Sequence, residues 1–147
     1  MEIVLSFAAL VAGAGLAVQA GVNAAMARHA GRAEIAAIVN FGVGLVALVA
    51  WVVASRVRWP SAATLAEAPA WAWAGGLIGA FYVTAAVLIV PRLGLALTLG
   101  LSVAGQLVGA LLLDRIGAFG LAARPMTSSR VAGVAMLIAA LVLIRRG

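Results

Sequence analysis

Residues 71–114 read WAWAGGLIGAFYVTAAVLIVPRLGLALTLGLSVAGQLVGALLLD, and Arg92 is the only charged side chain before Asp114 closes the stretch. A helix needs about 20 apolar residues to cross a bilayer core about 30 Å thick. The run is too long for one straight crossing and long enough for two. Pro91-Arg92-Leu93-Gly94 divides it near its middle, and Pro disfavours helical geometry in the residue before it. The reading that follows is a hairpin of two spans, about 71–90 and 93–113. One kinked helix is the alternative, because transmembrane helices tolerate proline.

Working outward, three more apolar runs stand out, about 3–26, 35–54 and 131–144, with nearly all the charge in the segments between them. The chain opens Met1-Glu2-Ile3, without the basic leader and short apolar core of a cleavable signal. The first run therefore reads as a retained helix. Gly31, in Arg28-His29-Ala30-Gly31-Arg32, suits a helix C-terminus. The longest connection runs from Arg56 towards Pro69, and Trp59, Trp71 and Trp73 lie where an interfacial aromatic belt is expected. The expected fold class is an all-α membrane protein, a single five-transmembrane-helix bundle with the lipid bilayer as its solvent.

Composition agrees. The 147 residues are 66% hydrophobic and 10% charged, with mean hydropathy +1.21, where soluble domains carry about 25% charged residues. The net charge of +6 comes from ten arginines and no lysine. They are spread over the gaps between apolar runs and form no single patch, which argues for membrane flanks and against nucleic acid. With no cysteine there is neither a disulfide nor a thiolate site. His29 stands alone in a basic loop, so neither a metal nor a cofactor is expected.

Five spans put Arg56, Arg58, Arg115, Arg124 and Arg130 on one side of the membrane and Arg28, Arg32, Arg92, Arg145 and Arg146 on the other. Orientation follows the difference in basic residues between sides, and here that difference is zero. A chain without bias is expected to insert both ways and to pair as an antiparallel, dual-topology homodimer, an arrangement that larger transporters reach by inverted repeats within one chain. A single orientation set by one dominant loop or by the first helix is the competing reading.

Polar side chains inside the spans are the candidate site. Gly15, Gln19 and Asn23 follow at intervals of four and share one side of the first helix. Gly94, Thr98, Ser102, Gln106, Ala110 and Asp114 form a longer stripe with the same spacing. Asn40 lies in the second span, and Tyr82 with Thr84 in the third. Gln19, Asn23, Asn40, Tyr82, Ser102 and Gln106 read either as the lining of a substrate cavity or as hydrogen bonds between packed helices. Gln106 is the strongest single candidate for a functional side chain. Gly13, Ala17 and Gly21, with Gly75, Gly76, Gly79, Gly105 and Gly109, read as small-residue packing surfaces. No ionisable residue lies well inside a span, since Glu2, Glu34, Glu67 and Asp114 all fall at edges. That disfavours an antiporter built on a buried carboxylate, and no Ser/His or paired-carboxylate arrangement points to an enzyme. Asp114 reads as an edge charge paired with Arg115 or a nearby loop arginine, or else as a gating group.

Several short motifs together resemble the YdcZ-type family, a family of unknown function among small bacterial inner-membrane proteins of the drug/metabolite transporter superfamily. They are Gln19-Ala20-Gly21-Val22-Asn23, Asn40-Phe41-Gly42-Val43-Gly44, Trp73-Ala74-Gly75-Gly76-Leu77-Ile78-Gly79-Ala80, Pro91-Arg92-Leu93-Gly94, and Gly105-Gln106 followed by Asp114-Arg115-Ile116-Gly117-Ala118-Phe119-Gly120. The resemblance covers essentially the whole chain. It implies a location in the bacterial inner membrane and a five-helix unit equivalent to half of a ten-helix transporter, working as an antiparallel dimer of identical or paired homologous subunits. Ala139 and Ala140 stand where the family pattern has a glycine, which bears on the packing of the last helix. The expected function is secondary transport or export of a small neutral or amphiphilic organic molecule, bound near the midplane. A dual-topology dimeric channel and a non-transporting scaffold or obligate subunit are the alternatives.

Overall fold

The computed structural model describes residues 1–146. Its regular structure is helical: α1 (Glu2–Ala30), α2 (Ala33–Ala54), the short α3 (Ala62–Ala66), α4 (Ala74–Leu93), α5 (Leu95–Ile116) and α6 (Ser128–Arg146), with 3-10 turns at Ala70–Trp73 and Ala118–Gly120. Among the described residues, five helices are long and apolar enough to cross a membrane; the third begins at Ala70, with the turn that leads into α4. The chain folds as two compact units, residues 1–92 and the chain from Leu93 onward.

In the first unit, α1 packs against α2. Gly31 and Arg32 alone separate them, and Gly31 takes the left-handed conformation, φ 75°. Glycine adopts it without a Cβ penalty, so the helix ends there. Arg32 is extended, and its guanidinium meets Glu34 at 3.2 Å in an exposed pair that adds little stability.

The core of this unit is made of small residues. Ala33 and Ala37 of α2 pack with Val83 and Val87 of α4, flanked by Ala27 and Tyr82, and Ala36 is completely buried. In lipid no water-driven force holds helices together, so close backbone approach through small side chains supplies the attraction. Large residues point the other way: Phe7, Leu10, Leu45, Leu48, Trp51, Leu77 and Phe81 are all more than half exposed. Between 6% and 22% of the most apolar window of each span is buried within the chain, which leaves most of the helix surface for lipid or another subunit.

The break between the third and fourth spans falls later than proline placement predicts. α4 continues through Pro91 to Leu93. The ring removes only the donor that would reach the Val87 carbonyl, and Arg92 turns back so that its guanidinium donates to the Leu88 carbonyl at 3.1 Å. Gly94 makes the break, at φ 78° and ψ 165°, a region open essentially to glycine alone.

In the second unit, α5 packs against α6. The Leu141 side chain of α6 sits directly against Gly100 of α5, where a Cβ would collide with it. Leu141 is the one buried residue of α6 among those described. α5 stops at Gly117, φ 61°, where an added Cβ would lie 2.9 Å from the Leu121 carbonyl oxygen. The loop that follows is folded back on the helix end: the Asp114 carbonyl accepts from the Gly117 N–H at 3.2 Å and from the Arg124 N–H at 2.8 Å.

Candidate functional site

Four of the six predicted polar residues come together in the first unit. The Gln19 side-chain amide on α1 donates to Oδ1 of Asn40 on α2 at 3.3 Å. Gln19 lies about three turns from the end of α1 and Asn40 about two turns into α2, so the bond crosses between helices at hydrocarbon depth. One turn further along α1, Asn23 is buried. Its amide makes no hydrogen bond among the described residues but keeps some accessible surface. Gln19, Asn23 and Tyr82 line a cleft closed by Leu16, Ala20, Val83, Ala86 and Val87, with a volume of about 10 Å³. That is room for about one water molecule, far below the several hundred Å³ of an organic ligand site.

The other two residues lie in the second unit, and there the four-residue stripe satisfies itself. The Thr98 hydroxyl donates to the Gly94 carbonyl at 2.7 Å, and the Ser102 hydroxyl to the Thr98 carbonyl at 2.9 Å. Bonds of this kind to the preceding turn let a hydroxyl survive in lipid without a neighbour. Gln106, the next polar residue of the stripe, is exposed and makes no hydrogen bond among the described residues. It sits at the middle of α5, about 16 Å from either end.

Asp114 is partnered, by Arg130 rather than the adjacent Arg115. The Arg130 guanidinium meets the Asp114 carboxylate at 2.9 Å with each side chain 31% exposed, and also reaches the Pro125 carbonyl at 3.5 Å. This ion pair ties the end of α5 to the beginning of α6. Arg115 instead lines a surface groove with Arg124.

The glycines divide in two. Gly79 is covered by the Phe41 ring, 3.6 Å from where a Cβ would stand, and Gly21 is half-buried. Gly13, Gly75, Gly105 and Gly109 have open space around the Cβ position, so within the chain they present small-residue surfaces that nothing occupies. The Gly100 and Leu141 contact escaped sequence reasoning, because a notch becomes visible only when its filler is known. The Arg130 partner lies sixteen positions from Asp114, beyond any helical spacing.

The comparisons with known proteins agree with this architecture. The chain is 29% identical over 148 aligned positions to "Inner membrane protein YdcZ" of Escherichia coli (strain K12), covering 93% of this chain and 92% of that one. No solved structure matches. The model of a family described as "Putative inner membrane exporter, YdcZ" matches residues 4–143. With that match over nearly its whole length and five apolar helices, the chain belongs to the YdcZ family, and it is a multi-pass protein of the bacterial inner membrane.

Proposed function

We propose that the protein is a secondary transporter that exports a small neutral or amphiphilic organic molecule, and that it works as an antiparallel homodimer in which each chain stands for half of a ten-helix drug/metabolite transporter. The observation that carries this reading is Gln106, an exposed amide without a hydrogen bond among the described residues at the midpoint of α5. A polar group left facing hydrocarbon is destabilised by several kcal/mol, and a wet crevice, a ligand or a second chain would each remove that cost. Balanced arginines favour an oppositely inserted copy as such a second chain, and Gly105 and the half-buried Gly109, each with open space where a Cβ would stand, allow close approach. Gln19, Asn23, Asn40, Tyr82 and Ser102 supply further donors and acceptors. The exporter description of the family supports transport, and no step requires bond chemistry on the substrate.

A purely structural reading draws support from the first unit, where one bond joins the Gln19 and Asn40 amides across two helices and the cleft holds about 10 Å³. Gln106→Leu separates the two. In the transport reading the variant stays dimeric, while ligand affinity, read from ligand-dependent thermal stabilisation and counterflow in vesicles, falls about fivefold, as expected for one lost hydrogen bond of about 1 kcal/mol. Loss of the dimer together with both signals assigns Gln106 to packing. Unitary currents across a bilayer would replace the carrier by a channel. Reporters active only in the cytoplasm or only in the periplasm, fused to the C-terminus, should both give signal. Signal from one alone removes the dual-topology arrangement.

A further inference from the structure

The second unit carries a feature that transport does not use. Where α5 ends and α6 begins, a groove of about 870 Å³ is lined by Arg115, Arg124, Met126, Ser128, Val131 and Ala132. Met126 and Val131 also line a second, almost wholly apolar groove of about 320 Å³, which continues past Val108, Leu112 and Val134 to Ile138. The two are one surface feature with a cationic mouth and an apolar tail. From Ser128 to Ile138 it runs about 15 Å along α6, half the thickness of a hydrocarbon core and so the depth of one leaflet.

The charge at the mouth is uncompensated. From Leu93 onward the only acidic side chain is Asp114, and Arg130 already neutralises it. The Arg115 and Arg124 guanidiniums form no ion pair or hydrogen bond with the described residues. Arg115 lies in the last turn of α5 and Arg124 in the loop before α6, where span ends meet the level of lipid headgroups.

We propose that this groove is a binding site for one anionic phospholipid, with the headgroup phosphate held by Arg115 and Arg124 and an acyl chain laid along Val108, Leu112, Val134 and Ile138. Arginine matches phosphate geometry with paired donors, and basic pockets between transmembrane helices suit anionic headgroups. The apolar tail discriminates between a lipid and a free phosphate, which would occupy only the mouth.

The test is thermal unfolding and native mass spectrometry of the purified protein in neutral detergent, with phosphatidylglycerol, phosphatidylcholine or inorganic phosphate added. The wild type should retain and be stabilised by phosphatidylglycerol well beyond phosphatidylcholine, with inorganic phosphate nearly inert. The Arg115→Gln/Arg124→Gln double variant should weaken phosphatidylglycerol binding by on the order of tenfold. Arg115→Lys/Arg124→Lys should keep most of it, and Arg145→Gln/Arg146→Gln should leave it unchanged. If the Gln pair at the groove folds poorly, Ala135→Phe, which fills the apolar tail while keeping every charge, should displace the lipid. The proposal is overturned by equal binding of the two lipids, by inorganic phosphate matching the lipid, or by equal losses from both arginine pairs. The last outcome would mean general attraction to a cationic protein.

Discussion

The two units partner the polar groups of their apolar helices by different means. In residues 1–92 the amides Gln19 and Asn40 bond to one another across a helix interface built from alanines. From Leu93 onward, Thr98 and Ser102 bond to their own helix, Leu141 locks into a notch at Gly100, and the one ion pair among the described residues joins the loop-side helix ends. The first unit therefore spends Gln19 and Asn40 on joining α1 to α2, while Asn23 makes no hydrogen bond among the described residues. In the second, Thr98 and Ser102 bond to their own helix, while Gln106 has no hydrogen bond among the described residues. That difference is why the proposed transport reading rests on Gln106, at the midpoint of α5.

The contrast can be broken most forcefully at the loop. Gly117→Val places a β-branched side chain at φ 61° against the Leu121 carbonyl, and should destabilise the second unit by about 3 kcal/mol. Hydrogen exchange in detergent should show α6 losing protection while α1 and α2 keep theirs. Equal loss throughout would mean that the units do not open separately. Leu141→Ala should follow at about 2 kcal/mol. Because a Cβ at residue 100 collides only with that leucine side chain, adding Gly100→Ala to Leu141→Ala should recover part of the loss, a coupling that a double-mutant cycle measures. Additive losses would show that the notch is not what seats α6.

Asp114→Asn should reduce stability by about 1 kcal/mol, since both partners are partly exposed, and the effect should shrink with added salt. A salt-independent change would point to the loop backbone instead of the charge pair. The smallest expected effect belongs to Gln19→Leu, about 0.6 kcal/mol for an interhelical bond in a membrane protein. Asn40→Leu should have the same size, and the double variant should lose no more than either alone. A loss well above this would place Asn23 and Tyr82 in the same network as Gln19.

Much of the secondary structure was legible. Spans of about 20 apolar residues separated by arginines have no soluble alternative, and Gly31 marked the end of α1 because its αL geometry is read directly from residue type. The Pro91 boundary was off by a few residues because membrane helices tolerate a missing donor, whereas Gly94 supplies a backbone conformation that the other residues resist. For the candidate site, spacing placed Gln19 and Asn23 on one side of α1 and Thr98, Ser102 and Gln106 on one stripe. It did not reveal that the hydroxyls turn inward to their own backbone while the amide does not.

Sequence by itself determined that this chain lives in lipid, how many times it crosses, where its charges lie and which polar groups are carried to hydrocarbon depth, because hydropathy and backbone preference are local properties. Tertiary structure alone decided that Asn40 answers Gln19, that Arg130 rather than Arg115 answers Asp114, that Leu141 fills the space beside Gly100, and that two arginines open onto an apolar groove. Each of these pairs residues far apart along the chain, and in a membrane, where nearly every helix face is equally apolar, periodicity carries little information about which faces meet.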